Sequence, residues 1–366
     1  MSATLYFNPN VLEDRGVPAL TFWKKKQFWG TVIGLLLLAF CVKDIRLDEL
    51  KELSTRINYL WVLPSIICSF GYAVFRAARW RVIVSKQKKI GLVRVVTLFS
   101  AGQVLNQAMP ALTGQVGRIF LFSNKEGLRK SFVFSTVILE ILFDAVSLIT
   151  IVVITSLVWP FPDQYRPVSY IVAGATVTGL LLLYAMLHFQ EKLDALGRHW
   201  LREKHPGTYI AIRKWMRSFT SGIELLQRSQ HILGTLLWSL LAWGANMLAI
   251  YFLALSFGHP LKIWAAAFVM IVNTLALMVP LTPGNAGTFE IVVSTSLAAF
   301  AMPRSDAVLF ALALHLIDIL PMFLLGFFFM HVERMELNKL RRAHEDESLL
   351  DKITEEGTFV EEDEAA

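Results

Sequence analysis

Charge is scarce in this chain. Only 17% of its 366 residues are Asp, Glu, Lys or Arg, while 55% are hydrophobic; soluble globular domains carry about a quarter charged residues. With a mean hydropathy of +0.52, this composition excludes an ordinary soluble domain and points to a polytopic membrane protein. Cysteine is nearly absent: Cys41 and Cys68 are the two present, and both fall in apolar runs. That excludes a disulfide scaffold and a thiolate metal site, so both are read as core filler. Also missing are the GxxxxGK[ST] phosphate loop, HExxH, GxSxG and any ligand-spaced cysteine cluster. No cofactor or metal is expected, and energy from ATP would have to come from another subunit. The first apolar run, residues 28–42, follows Lys24, Lys25 and Lys26 but has no small-residue cleavage pattern. It is read as a retained helix and not as a signal peptide.

What remains is mostly apolar and long. Crossing a hydrocarbon layer takes about 20 helical residues, and several runs are that long; the candidate crossings are residues 28–42, 59–75, 131–159, 168–187, 232–257 and 307–330. Lysine and arginine set the orientation. Arg76, Arg79, Arg81, Lys86, Lys88, Lys89 and Arg94 follow one another with no acidic residue between them, and the connection 189–231 holds eight basic against four acidic residues. The connections 159–167, 258–262 and 302–306 hold one basic residue each. The first group therefore faces the cytoplasm, and six crossings return both termini there. The net charge of +6 is thus a membrane-orientation signal and not a nucleic-acid footprint. The connection 189–231 carries Ile212, Trp215, Met216, Phe219, Ile223 and Leu226 at helical spacing, with Arg213, Lys214 and Arg217 off that stripe. This fits an amphipathic helix on an anionic membrane face, either a linker or a lipid contact. Residues 345–366 are acidic and poor in apolar residues, as expected of a disordered tail.

Two further apolar segments, 93–109 and 263–279, run into breaks. The first reads NQAMPALTGQVGR, from Asn106 through Pro110 and Gly114 to Arg118. The second reads NTLALMVPLTPGNAGTFE, from Asn273 through Pro280, Pro283, Gly284 and Gly287 to Glu290. Irregular backbone survives at membrane depth only where protein or a wet cavity surrounds it. Two breaks approached from opposite faces fit an inverted repeat whose half-helix ends meet near the midplane. There, free N–H groups suit an anionic head group. A full crossing by the second segment is the alternative.

The crossing 131–159 contains Glu140 and Asp144, four residues apart and so on one helical face. Carboxylates at that depth face the protein interior, where they serve proton coupling or gating, form a structural pair, or partner Arg118. Glu290 has the same functional reading, or merely caps its helix. Arg76 and Arg79 bind lipid phosphate or anchor the helix at the interface. His315 and Asp318 read as a structural pair, without the further ligands a metal site needs.

Taken together, FRAARWRVIV, PALTGQVGR, ILEILFD and PLTPGNAGTFE resemble the lysylphosphatidylglycerol synthase transmembrane-region family of flippase-like membrane proteins over residues 28–332. The resemblance implies an all-α integral membrane protein with re-entrant hairpins. It also implies a relation to the flippase half of the bacterial multiple peptide resistance factor, whose soluble aminoacyl-transferase half has no counterpart in this sequence. No lysyl-lipid synthesis is therefore expected. The motifs carry Arg79, Pro110, Gly114, Arg118, Glu140, Asp144, Pro283, Gly284, Gly287 and Glu290 as matched positions. Gln115 departs from the acidic residue that relatives often carry after the first glycine.

The expected organisation is a cytoplasmic segment 1–27, a flippase-like domain 28–332 and a cytoplasmic acidic tail 333–366, in a bacterial inner membrane. The expected function is lipid translocation, the substrate a phospholipid, aminoacylated lipid, hopanoid or polyprenyl-linked lipid. An accessory subunit of a lipid- or glycan-modifying enzyme and a membrane transferase are the alternatives. Expected partners are the lipid itself and either a second copy of the chain or a lipid-modifying enzyme, with no nucleic acid.

Overall fold

The computed structural model describes residues 26–43, 55–85, 87–108, 113–159, 229–277 and 282–332, with isolated positions at 48, 52, 174 and 178. The expected crossing 168–187, the amphipathic stripe 212–226, the acidic tail and Pro110 lie outside the described residues. Within them every regular element is helical: α1 (Lys26–Val42), α2 (Tyr59–Val84), α3 (Leu92–Ala108), α4 (Thr113–Glu126), α5 (Lys130–Val158), α6 (Ser229–Ser256), α7 (Ile263–Ala276), a 3-10 turn (Pro283–Asn285), α8 (Thr288–Ala298) and α9 (Arg304–Val332).

Helices α2, α5, α6 and α9 are long and apolar enough to cross a membrane. Their large exposed side chains include Leu63, Ile67, Ile141, Ile154, Leu157, Leu233, Leu237, Leu316 and Phe328, an apolar surface suited to lipid. The expected crossing 28–42 forms α1, whose 17 residues span about 26 Å at 1.5 Å per residue.

Contacts between helix ends sort them into two layers. At the near end, Arg81 Nε donates to the Ile90 carbonyl at 2.8 Å, and Arg94 Nε donates to Glu126 Oε1 at 2.6 Å. The start of α3 therefore lies beside the end of α4, next to the end of α2. At the far end, Asn58 N–H donates to the Ser256 carbonyl at 2.8 Å. There Trp159 packs on Phe268 of α7 and on Phe300 just after α8, and His259 meets Asp306 at 3.0 Å. Helix α1 runs from near to far, since Cys41 shares a cleft wall with Ala298 and Arg304. Helix α9 returns to the near end, where Phe329 joins the cluster of Val95 and Leu128.

The two broken segments are thus re-entrant hairpins of opposite entry. In the first, α3 and α4 fold back on each other: a Cβ on Gly114 would stand 2.6 Å from Asn106 Cα, and one on Gly102 2.8 Å from Arg118 Cγ. Their 17 and 14 residues reach about 26 and 21 Å, so neither arm needs to leave at the opposite face. In the second, α7 and α8 begin and end at the far end, around Phe268 and Phe300. Each hairpin has its own apolar cluster: one joins α2, α3, α4 and α5, the other α6, α7, α8 and α9. Helix α9 passes through both, and α3 packs against the Pro283–Asn285 turn. The first hairpin's α3 thus touches the turn of the second.

Glycine permits the tightest of these contacts. A Cβ on Gly326 of α9 would lie 3.0 Å from Ala101 N and Ser100 C of α3, so Gly326→Ala should force the two helices apart. The expected cost is about 1–3 kcal/mol, typical of overpacking, read as a lower melting temperature of the purified protein in detergent. Gly244→Ala, with nothing within 4 Å of the added carbon, should leave the melting temperature unchanged or higher. Equal effects at the two positions would contradict this packing.

Candidate functional site

The interior between the hairpins is polar, and its charges are matched in groups. Arg118 of α4 donates through a terminal nitrogen to Glu140 Oε2 of α5 at 2.5 Å, with both side chains at most 3% exposed. The guanidinium also lies over the rings of Phe99 and Phe122, 4.5 and 5.1 Å from their centroids, a cation–π arrangement. Four residues along α5, Asp144 turns to other partners. Arg79 of α2, fully buried, grips it with two guanidinium nitrogens at 2.5 and 3.1 Å. The Trp243 indole N–H of α6 donates to the same carboxylate at 3.2 Å. Arg79 also donates to Ser239 Oγ at 3.1 Å.

Arg76 is held more loosely. One terminal nitrogen stands 3.8 Å from Asp144 and the other 3.4 Å from the Tyr72 hydroxyl. Of the three guanidiniums in this region, Arg76 has the weakest carboxylate contact. It lines a cavity of about 20 Å³ with Tyr72, Ser100, Gln103 and Asp318, enough for about one water molecule. Ser100 Oγ, Gln103 Nε2 and Asp318 Oδ1 have no hydrogen-bond partner there.

The second hairpin contributes a different group. Gly284 and Gly287 have φ of +61° and +81°, left-handed values that glycine adopts without strain. A Cβ at Gly287 would stand 2.5 Å from Leu37 Cβ of α1, so α1 presses directly on the turn. Glu290 occupies the third position of α8 and accepts the Gly287 N–H at 2.7 Å, which satisfies one orphan donor at the helix start. Its other oxygen meets His315 Nδ1 at 2.7 Å, and His315 Nε2 meets the Gly284 carbonyl at 3.1 Å. Phe289 stacks on the His315 ring.

The structure thus brings together Arg76, Arg79 and Asp144, and separately Arg118 and Glu140, and separately again Gly284, Gly287 and Glu290. Pro283 opens the 3-10 turn. Asn106 is the residue Gly114 packs on, and Asn273 sits near the end of α7 with its Oδ1 unpartnered. Glu140 and Asp144 share a helical face yet serve separate guanidiniums. The expected His315–Asp318 pair does not form: His315 binds Glu290, and Asp318 Oδ1 has no partner. Sequence reasoning also missed Tyr72, Ser239 and Trp243. Their one signal is polar atoms within long apolar helices, which does not say where those atoms point. Among the described residues no cluster of His, Cys, Asp or Glu could hold a metal ion.

Beside the second hairpin, α1, α8 and α9 border an open cleft of about 440 Å³. Phe40, Cys41, Ile291, Met302 and Val308 line it, with Ser294 and Thr295 on one side and Arg304 at the far end.

Buried ion pairs lose most when one partner is left alone. Arg118→Ala or Glu140→Ala should each cost about 3–5 kcal/mol, and the double change to leucine should cost less than either single one. Unfolding of the three variants in detergent checks this; a double variant as unstable as the sum of the singles would contradict the pairing.

Residues 27–326 match the family model for the lysylphosphatidylglycerol synthase transmembrane region. Curated relatives include UPF0104 membrane protein PH1989 of Pyrococcus horikoshii, 23% identical over 77% of this chain and 90% of its own length. UPF0104 membrane protein MJ1595 of Methanocaldococcus jannaschii is 21% identical over 84% of this chain and 95% of its own. A UPF0104 membrane protein of Methanothermobacter thermautotrophicus is 21% identical over 71% and 81%. No solved structure matches. The match spans most of the chain, and the chain belongs to the lysylphosphatidylglycerol synthase transmembrane-region family.

Proposed function

We propose that the protein moves a lipid between membrane leaflets, its polar head passing between the two hairpin tips while its tails stay in the bilayer. The observation that carries this reading is the meeting of α3 with the Pro283–Asn285 turn, each hairpin entering from the opposite end. Broken helices at membrane depth mark polar paths in transporters. Here the path is bordered by Arg76, the interior guanidinium with the weakest carboxylate contact, which suits an anionic head group. The apolar cleft between α1, α8 and α9 offers room for acyl chains at the flank of the same hairpin.

The near end carries Arg81, Lys88, Lys89, Arg94, Lys125, Arg129 and Lys130 and holds the start of α1 and the end of α9. By the positive-inside pattern that end faces the cytoplasm, as do both termini. An accessory role beside a lipid-modifying enzyme is favoured by one feature, the close pairing of Arg118 with Glu140 and of Arg79 with Asp144.

Purified protein in liposomes carrying fluorescent lipids of anionic, zwitterionic and polyprenyl-phosphate types distinguishes these readings. The wild type should accelerate loss of dithionite-protected signal for at least one class. Arg76→Ala should slow it about tenfold or more, the scale of a lost charge-assisted hydrogen bond. Ile141→Ala on the lipid-facing surface should change nothing. Wild-type rates equal to empty liposomes for every lipid would contradict translocation.

A further inference from the structure

The Gly284 carbonyl can only accept a hydrogen bond. His315 Nε2 stands 3.1 Å from it, so Nε2 carries a hydrogen. The other ring nitrogen, Nδ1, stands 2.7 Å from Glu290 Oε1, and two lone pairs cannot meet at that distance. One proton must lie between them. Either the ring is an imidazolium facing a carboxylate, or a neutral ring accepts from a carboxylic acid. In both cases the pair holds one proton more than a neutral histidine beside an ionised glutamate, and its net charge is zero. The two side chains are 14% and 3% exposed.

We propose that the Glu290–His315 pair binds the proton that couples the transport cycle, and that this proton fastens the second hairpin's turn to α9. The coupling rests on the proposed translocation; the proton-held turn stands on the geometry. On release, His315 becomes neutral and keeps Nε2–H, Glu290 stays ionised, and the proton passes to water. The Nδ1 lone pair then faces a carboxylate oxygen, and that contact opens. Gly284 and Gly287, already in left-handed conformations, provide the hinge, and α1 and α9 are the walls that part.

Few other charges compete at this place. From α9 itself, Asp318 lies one turn beyond His315, on the wall of the small cavity; from α2 come Tyr72 and Arg76 on the same wall. From α1 comes the thiol of Cys41. Helix α3 carries a single charged residue, Arg94, engaged at the near end with Glu126. Helix α7 has no ionisable side chain, α8 has Glu290 alone, and α6 has only His231 and Tyr251. Arg304 and Asp306 stand at the start of α9, the latter against His259.

Release of the turn is readable without any lipid. Ala286→Cys, in a Cys41→Ser/Cys68→Ser background and reconstituted in liposomes, reports the turn through its maleimide labelling rate. The rate is taken as a ratio to the same cysteine in His315→Gln, which removes the pH dependence of the thiol itself. From mildly acidic to mildly alkaline pH, this ratio should rise about tenfold or more, as expected when a charge-assisted hydrogen bond is lost. Glu290→Gln, which can still accept from Gly287 N–H, should abolish the pH response and serves if His315→Gln does not fold. A ratio independent of pH overturns the proposal, as does an unchanged response in Glu290→Gln. Lipid movement indifferent to a pH gradient, with a responsive turn, overturns the coupling. No lipid movement under any gradient overturns translocation and leaves the proton-held turn intact.

Discussion

A peptide group without a hydrogen bond costs several kcal/mol in hydrocarbon, and this chain interrupts two helices at that depth. Everything else in the fold answers that constraint. The end of α3 and the start of α4 are shielded by their own close packing at Gly114 and Asn106. The Pro283–Asn285 turn is covered by α1 on one side and α3 on another. Glu290, Thr282 and His315 then take up its polar groups: Gly287 N–H, the Ala286 carbonyl and the Gly284 carbonyl. Long helices α2, α5, α6 and α9 enclose the two hairpins and present leucine and isoleucine to lipid.

The same constraint governs the interior charges. Arginine and carboxylate side chains cannot stay unpaired in such surroundings, and two of the three interior guanidiniums have close carboxylate partners. The matching is uneven, though. Arg118 and Arg79 are held tightly, while Arg76 reaches its nearest carboxylate at 3.8 Å and Asp318 Oδ1 has no hydrogen-bond partner. These loosely held groups share one small cavity, whereas the tightly held ones hold α2, α4, α5 and α6 together. Loosely and tightly held guanidiniums, Arg76 and Arg79, thus stand three residues apart on α2.

Much of this was legible in the sequence. Proline and glycine inside apolar runs located both hairpins, and the alternation of basic and neutral connections placed their entries at opposite ends. Arg118 as a partner of Glu140 was one of the readings that residue type and depth allowed. What could not be read was which way each helix turns about its axis. Glu140 and Asp144 face one side of α5, yet α4 meets that side at one level and α2 with α6 at another. His315 and Asp318 are neighbours by helical spacing, and the sequence invites pairing them. The second hairpin brings Glu290 closer, a contact across 25 residues that no local pattern encodes. Trp243 and Ser239 gave no sign of their partners for the same reason.

The central claim is that the place where α3 meets the Pro283–Asn285 turn is a path and not a plug. A cysteine pair placed across the end of α3 and the Pro283–Asn285 turn, with Cys41 and Cys68 changed to serine, tests it most directly. Oxidation should stop lipid movement in liposomes, and reduction should restore it. Lipid movement that continues at the same rate with the tips locked would contradict the account.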